Sequence, residues 1–119
     1  MSGATGGRVV VRHDGRDWFV RPGESLTIGR GEECAVRLTD PEISRNACLL
    51  RVAADRVLVM NQSGRKSLVL RPPYGEERRV SPRGATTSLP HRVFEVVFAG
   101  RDDEPVCIGV DARGLTPPD

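Results

Sequence analysis

Turn-forming residues interrupt this sequence too often to leave room for long helices. Asp14-Gly15, Pro22-Gly23, Asp40-Pro41, Pro72-Pro73-Tyr74-Gly75 and Pro82-Arg83-Gly84 divide it into short segments, and none keeps a helical apolar stripe for three turns. Glycine and aspartate tolerate positive φ and proline fixes its own φ, so each cluster ends whatever precedes it. The intervening runs are rich in Val and Leu and alternate apolar with polar residues, the period of a half-buried strand. A chain of 119 residues has the length of one domain and can bury about two-thirds of its unfolded surface, enough for its own core. The spacing of the turns therefore predicts an all-β sandwich of about eleven strands.

The candidate strands are residues 8–12, 17–20, 26–29, 35–38, 47–52, 56–61, 67–70, 78–80, 85–88, 91–99 and 105–110. Leu26 and Ile28 share a face, as do Cys48, Leu50 and Val52, then Val57 and Val59, and finally Phe94, Val96 and Phe98. A short helix fits at 31–34 or 41–43, and the charged run 101–104 reads as a turn. Residues 1–7 and 111–119 carry little material for a core and read as flexible tails, leaving 8–110 as the domain.

Several function classes find little support. The chain has two histidines, His13 in a hairpin turn and His91 beside a proline, with no nucleophile motif and no clustered metal ligands. Neither an enzyme nor a cofactor is expected. Cys34, Cys48 and Cys107 are odd in number and far apart, so they read as free thiols, the first two as small core residues. No apolar run approaches membrane-spanning length and no apolar targeting segment opens the chain. A cytoplasmic monomer with no membrane partner is expected. Formal charge is +2, and Lys66 is the sole lysine among many arginines. Arginine suits forked binding of phosphate, although a GC-rich coding sequence explains the bias as a whole. The doublets Arg65-Lys66 and Arg78-Arg79 could meet a nucleic-acid backbone, but acids interrupt the basic runs and aromatics for stacking make up only 4% of the chain.

Three segments stand in a telling order: Leu26-Thr27-Ile28-Gly29-Arg30, then Cys34-Ala35-Val36-Arg37-Leu38, then Ile43-Ser44-Arg45. In order and spacing they resemble the signature of the forkhead-associated (FHA) family, and residues 9–97 can be laid along that family's eleven-stranded, two-sheet sandwich. The resemblance implies a phosphothreonine site built by the loops after strands three, four and six. It also implies a partner protein phosphorylated within a Ser/Thr kinase pathway. Arg30 would offer a guanidinium fork and Ser44, with Arg45 adjoining, a hydroxyl. The later loop would bring Ser63, the Gly64 amide, Arg65 and Lys66. Each donor to a charged group is worth roughly 1.5–3 kcal/mol. Strand parity alone places Ser44 and the 62–66 loop at one end; Arg30 joins them only through the family's topology. Taken singly, Arg30 could be a surface arginine and Ser44 a cap on the turn begun at Asp40-Pro41.

Two departures from the family pattern bear on function. Ala47 stands where a histidine usually braces the binding loops. Ser63-Gly64-Arg65-Lys66-Ser67 replaces the usual Ser, Ser or Thr, Asn-Gly-Thr, so that on the simplest register Arg65 takes the place of an asparagine that grips the peptide main chain. The alternative reading is thus a degenerate FHA scaffold making phosphate-independent protein contacts. Divergent members share Ile-Ser-Arg, a small residue and an Asn-x-Ser element, and in them phosphate binding does not follow from the fold. Thr116-Pro117 in the C-terminal segment is a further candidate, a modified threonine that a neighbouring copy could bind.

Overall fold

The computed structural model of the chain describes residues 7–115. Val9–His13 (β1) and Arg16–Val20 (β2) form a hairpin closed by Asp14 and Gly15, at φ 52° and 76°. Both values are left-handed, the conformation the Asp-Gly pair tolerates. Ser25–Gly29 (β3), Val36–Arg37 (β4), Cys48–Val52 (β5) and Val57–Asn61 (β6) follow. Then come Leu68–Arg71 (β7), Arg78–Val80 (β8), Thr86–Thr87 (β9), Val93–Ala99 (β10) and Pro105–Asp111 (β11). They make two sheets, in the orders β2-β1-β11-β10-β7-β8 and β4-β3-β5-β6-β9. The pairings are antiparallel except β3 with β4.

The inward faces are those the alternation predicts. Leu26, Ile28, Cys48, Leu50, Val52, Val57 and Val59 from one sheet meet Phe94, Val96, Phe98, Ile108 and Val110 from the other, all buried. Burying each aliphatic or aromatic side chain contributes about 1.5–3 kcal/mol. The shortest strands are shorter still than the pattern suggests. β4 keeps only the two residues that pair with Ile28 and Gly29, and β9 only the two that pair with Val59 and Met60. The stretches 31–34 and 41–43 form single turns rather than helices, closed by Cys34 N–H on the Gly31 carbonyl and Ile43 N–H on the Asp40 carbonyl. A 3-10 turn, Arg101–Asp103, replaces the plain turn expected at 101–104.

Of the expected tails at 1–7 and 111–119, residues 1–6 and 116–119 lie outside the described residues, Thr116 included. What is described does not behave as a tail. Asp111 ends β11, Ala112 and Leu115 are buried in the core, and a β-carbon on Gly7 would come within 2.7 Å of the Gly114 carbonyl.

The register sets where loops can meet. Ile28 pairs with Cys48 and Cys48 with Asn61, so the end of β3, the start of β5 and the end of β6 lie in one row across the sheet. The chain that leaves β3, the chain that enters β5 and the chain that leaves β6 must therefore share one pole of the sandwich.

Candidate functional site

At that pole the first two loops are joined backbone to backbone. Arg30 N–H donates to the Ser44 carbonyl at 3.0 Å, Gly31 N–H to the Arg45 carbonyl at 3.0 Å, and Ala47 N–H to the Ile28 carbonyl at 3.0 Å. The approach is so close that a β-carbon on Gly29 would collide with the Arg45 carbonyl, which explains the glycine before Arg30. Arg30 Nε then donates to the Ile43 carbonyl at 3.1 Å. That bond aims the rest of the guanidinium, which makes no ion pair among the described residues.

The third loop is organised from beneath by Asn61. Its side-chain Oδ1 accepts from Ser63 N–H at 3.0 Å, while Nδ2 donates to the carbonyls of Lys66 at 2.8 Å and Val80 at 3.0 Å. The loop therefore opens and closes on one buried amide. Ser63 Oγ accepts from the amides of Arg65 at 3.3 Å and Lys66 at 3.1 Å and shares a 3.1 Å hydroxyl–hydroxyl bond with Ser44. The two amides occupy both lone pairs of its oxygen, so its own hydrogen can serve Ser44 Oγ or an incoming acceptor. Gly64 N–H makes no hydrogen bond among the described residues, and a β-carbon there would meet only open space.

Arg30, Ser44, Ser63, Gly64, Arg65 and Lys66 line one open depression of about 300 Å³, together with Pro41, Glu42 and Ile43. Six of the seven residues expected from the sequence thus meet at one place. Arg45 does not join them: its Nη2 lies 3.9 Å from Glu33 Oε1, and its contribution is the carbonyl that fixes Gly31 and accepts from Cys34 Sγ at 3.1 Å. Lys66 Nζ bridges the Glu42 carboxylate and carbonyl, each at 3.2 Å, so its charge is partly matched already. A second depression, of about 330 Å³, lies between residues 55–57 and 88–92 and holds none of the seven.

Asp40 anchors the second loop from behind. Its carboxylate accepts from Arg101 N–H at 2.9 and 3.1 Å and from Glu42 N–H at 2.9 Å. These bonds, the Arg101 amide first, hold its pKa below the ordinary carboxylate value. Burial pushes the Cys34 thiol up and the Cys48 thiol to about 12, which leaves both protonated and unreactive at neutral pH.

Two residues that organise the site were not among those expected to form it. Asn61 falls on the inward parity of β6 after Val57 and Val59, and a polar residue there must find partners; that was the available signal. Arg83 sits in the turn after β8, donating its N–H to the Ser63 carbonyl at 2.8 Å and Nε to the Gly64 carbonyl at 3.4 Å. Its only mark in the sequence is that Arg occupies the middle of Pro82-Arg83-Gly84, where the turn adopts φ 69°.

The family model of the FHA domain matches residues 26–92, more than half of the 119-residue chain. No curated protein matches the chain significantly. Among solved structures, the crystal structure of Mycobacterium tuberculosis Rv1747 FHA-1 aligns with a TM-score of 0.63 at 21% identity, over 90% of this chain and 97% of that one. The crystal structure of the MEK1 FHA domain aligns with a TM-score of 0.60 at 17% identity, over 90% of this chain and 89% of that one. At these identities the likeness is one of fold.

Proposed function

Because the chain belongs to the FHA domain family, whose members are in general phosphopeptide-binding modules, we propose that it is a non-catalytic module binding phosphothreonine on a partner protein. The reading places it in a Ser/Thr kinase pathway, as a cytoplasmic monomer.

The observation that carries this reading is the shared depression. A guanidinium from Arg30 and a Gly64 amide, the one without an ion pair and the other without a hydrogen bond among the described residues, line a single open hollow with the hydroxyls of Ser44 and Ser63. A phosphate monoester brings nearly two negative charges and three strong acceptor oxygens, which need fixed donors of this kind. Arg30 is already aimed by its bond to Ile43, so binding loses little of its freedom. The Ser44 and Ser63 hydroxyls, now bonded to each other, turn to phosphate oxygens, and the Gly64 amide completes the cradle.

Isothermal titration against a phosphothreonine peptide, its phosphoserine twin and its unmodified twin tests the proposal. Wild type is expected to bind only the modified peptides. Arg30→Ala and Ser44→Ala should each weaken binding by about tenfold or more, the equivalent of about 1.4 kcal/mol. The alternative is a scaffold whose contacts ignore phosphate. It draws support from the Lys66–Glu42 ion pair, from the Ser44–Ser63 bond that already satisfies both hydroxyls in part, and from Ala47. Equal binding of the modified and unmodified peptides would establish that alternative.

A further inference from the structure

We propose that Arg83 is a specificity-determining residue, supplied by a fourth loop, which reads an anionic group of the bound peptide beside its phosphothreonine. The inference rests on the phosphopeptide reading above and extends it to the class of peptide.

Arg83 adopts φ 69° and the next residue, Gly84, φ 87°. Left-handed backbone favours glycine or asparagine, so an arginine there is held against its local preference by the surroundings. The surroundings are the phosphate loop itself. Arg83 N–H bonds the Ser63 carbonyl at 2.8 Å, and Gly84 N–H bonds the Asn61 carbonyl at 2.7 Å. Arg83 Nε then reaches the Gly64 carbonyl at 3.4 Å. The turn is docked along the whole start of the loop that carries Ser63 and Gly64.

The two terminal nitrogens of Arg83 make no hydrogen bond or ion pair among the described residues. Arg83 does not line the phosphate depression but borders Gly64, which does. Its fork therefore faces a different group from the one Arg30 receives. Residues of an extended peptide advance about 3.3 Å each, so that group belongs to a residue close to the phosphothreonine. Lys66, on the loop of Gly64, is engaged by Glu42, whereas no acid among the described residues engages Arg83. A guanidinium fork tethered at Nε and unpaired among the described residues suits a carboxylate or a second phosphate.

Isothermal titration of wild type and Arg83→Gly separates the possibilities. Glycine is what the turn geometry favours, so the variant keeps the fold and is expected to melt no lower than wild type. The probes are a phosphothreonine peptide with neutral flanks, one with aspartates flanking the modified residue, one with a second phosphothreonine, and the unphosphorylated aspartate peptide. Wild type should bind at least one of the two anion-flanked phosphopeptides about two- to fivefold more tightly than the neutral one. Arg83→Gly should lose that gain, binding the anion-flanked and neutral phosphopeptides within about twofold of one another. A gain with aspartate identifies a carboxylate reader, and a gain with the second phosphate alone a phosphate reader. Equal affinities in wild type, or a gain that survives in Arg83→Gly, overturn the role of Arg83 and leave the phosphate site standing. So does displacement of the peptide by single-stranded DNA of equal charge, which would mark a general polyanion surface. Absence of binding by every phosphorylated peptide overturns the phosphate reading and this inference together.

Discussion

Asn61 is 1% exposed, and its side chain makes three hydrogen bonds, to Ser63 N–H and to the carbonyls of Lys66 and Val80. Its backbone adds two more, to Ala85 and Gly84. Its side chain thereby ties the candidate binding loop to β8, and its backbone ties it to the turn that carries Arg83. Where the family usually braces these loops with a histidine at position 47, this chain has Ala47 and builds the brace from the other side. Asn61→Ala would strip partners from three backbone groups, two of them in buried bonds. Each such group costs about 1–3 kcal/mol when left unpaired, and because they relax together the expected loss is about 2–4 kcal/mol in urea unfolding. Phosphopeptide affinity should fall with it. A loss below about 0.5 kcal/mol, the level of an ordinary surface change, would refute the brace. Parity made the position of Asn61 legible, but which buried partners an inward amide meets depends on strands distant in the chain.

The loops that surround the depression are positioned by elements on both sheets. Asp40 connects the loop before β5 to the turn between β10 and β11 through the Arg101 and Glu42 amides. Its pKa is held below the ordinary 3.8, chiefly by the Arg101 amide. A carboxyl with a depressed folded pKa stabilises the fold above its unfolded value, and that contribution disappears as pH falls below 3.8 through the folded value. Asp55, bonded by Arg56, and Asp111, bonded by Arg113, are lowered too and titrate in the same acid window. Asp40→Asn isolates its share. The variant should unfold at lower denaturant than wild type at neutral pH, and the gap should close in the acid range below 3.8. A gap of the same size at both pH values would show that the carboxylate charge is not what holds the loops. Strands with strong alternation, such as β5, β6 and β10, were plain in the sequence because two-residue periodicity is a local property. β4 and β9 were plain only as places. Their lengths are decided by how many partners β3 and β6 offer, which no local pattern records. The same limit applies to Arg30, which parity could not bring to Ser44; the parallel pairing of β3 with β4 and the crossing to β5 do so.

Across the whole molecule, the sandwich core and the candidate binding pole make different physical demands. The core needs apolar volume. The pole needs polar groups left partly unengaged, a condition at odds with the full satisfaction that stabilises an interior. Separating the two lets a marginally stable domain tolerate an imperfectly satisfied rim. Ile108 tests whether they are energetically separate. It is fully buried on β11, which pairs with β1 on one side and β10 on the other, and none of the seven expected site residues lies on those three strands. Ile108→Ala should cost about 2–5 kcal/mol through lost transfer energy and residual cavity. For a domain of this size that lowers Tm by about 10 °C or more in differential scanning calorimetry. Measured well below the lowered Tm, phosphopeptide affinity should stay within about twofold of wild type, because distant sites with no shared partner add independently. A matching loss of affinity would mean that the loops draw their geometry from the packing of the far sheet, through Gly100 and the Asp40 anchor, and that the pole is not a rigid rim on an indifferent scaffold.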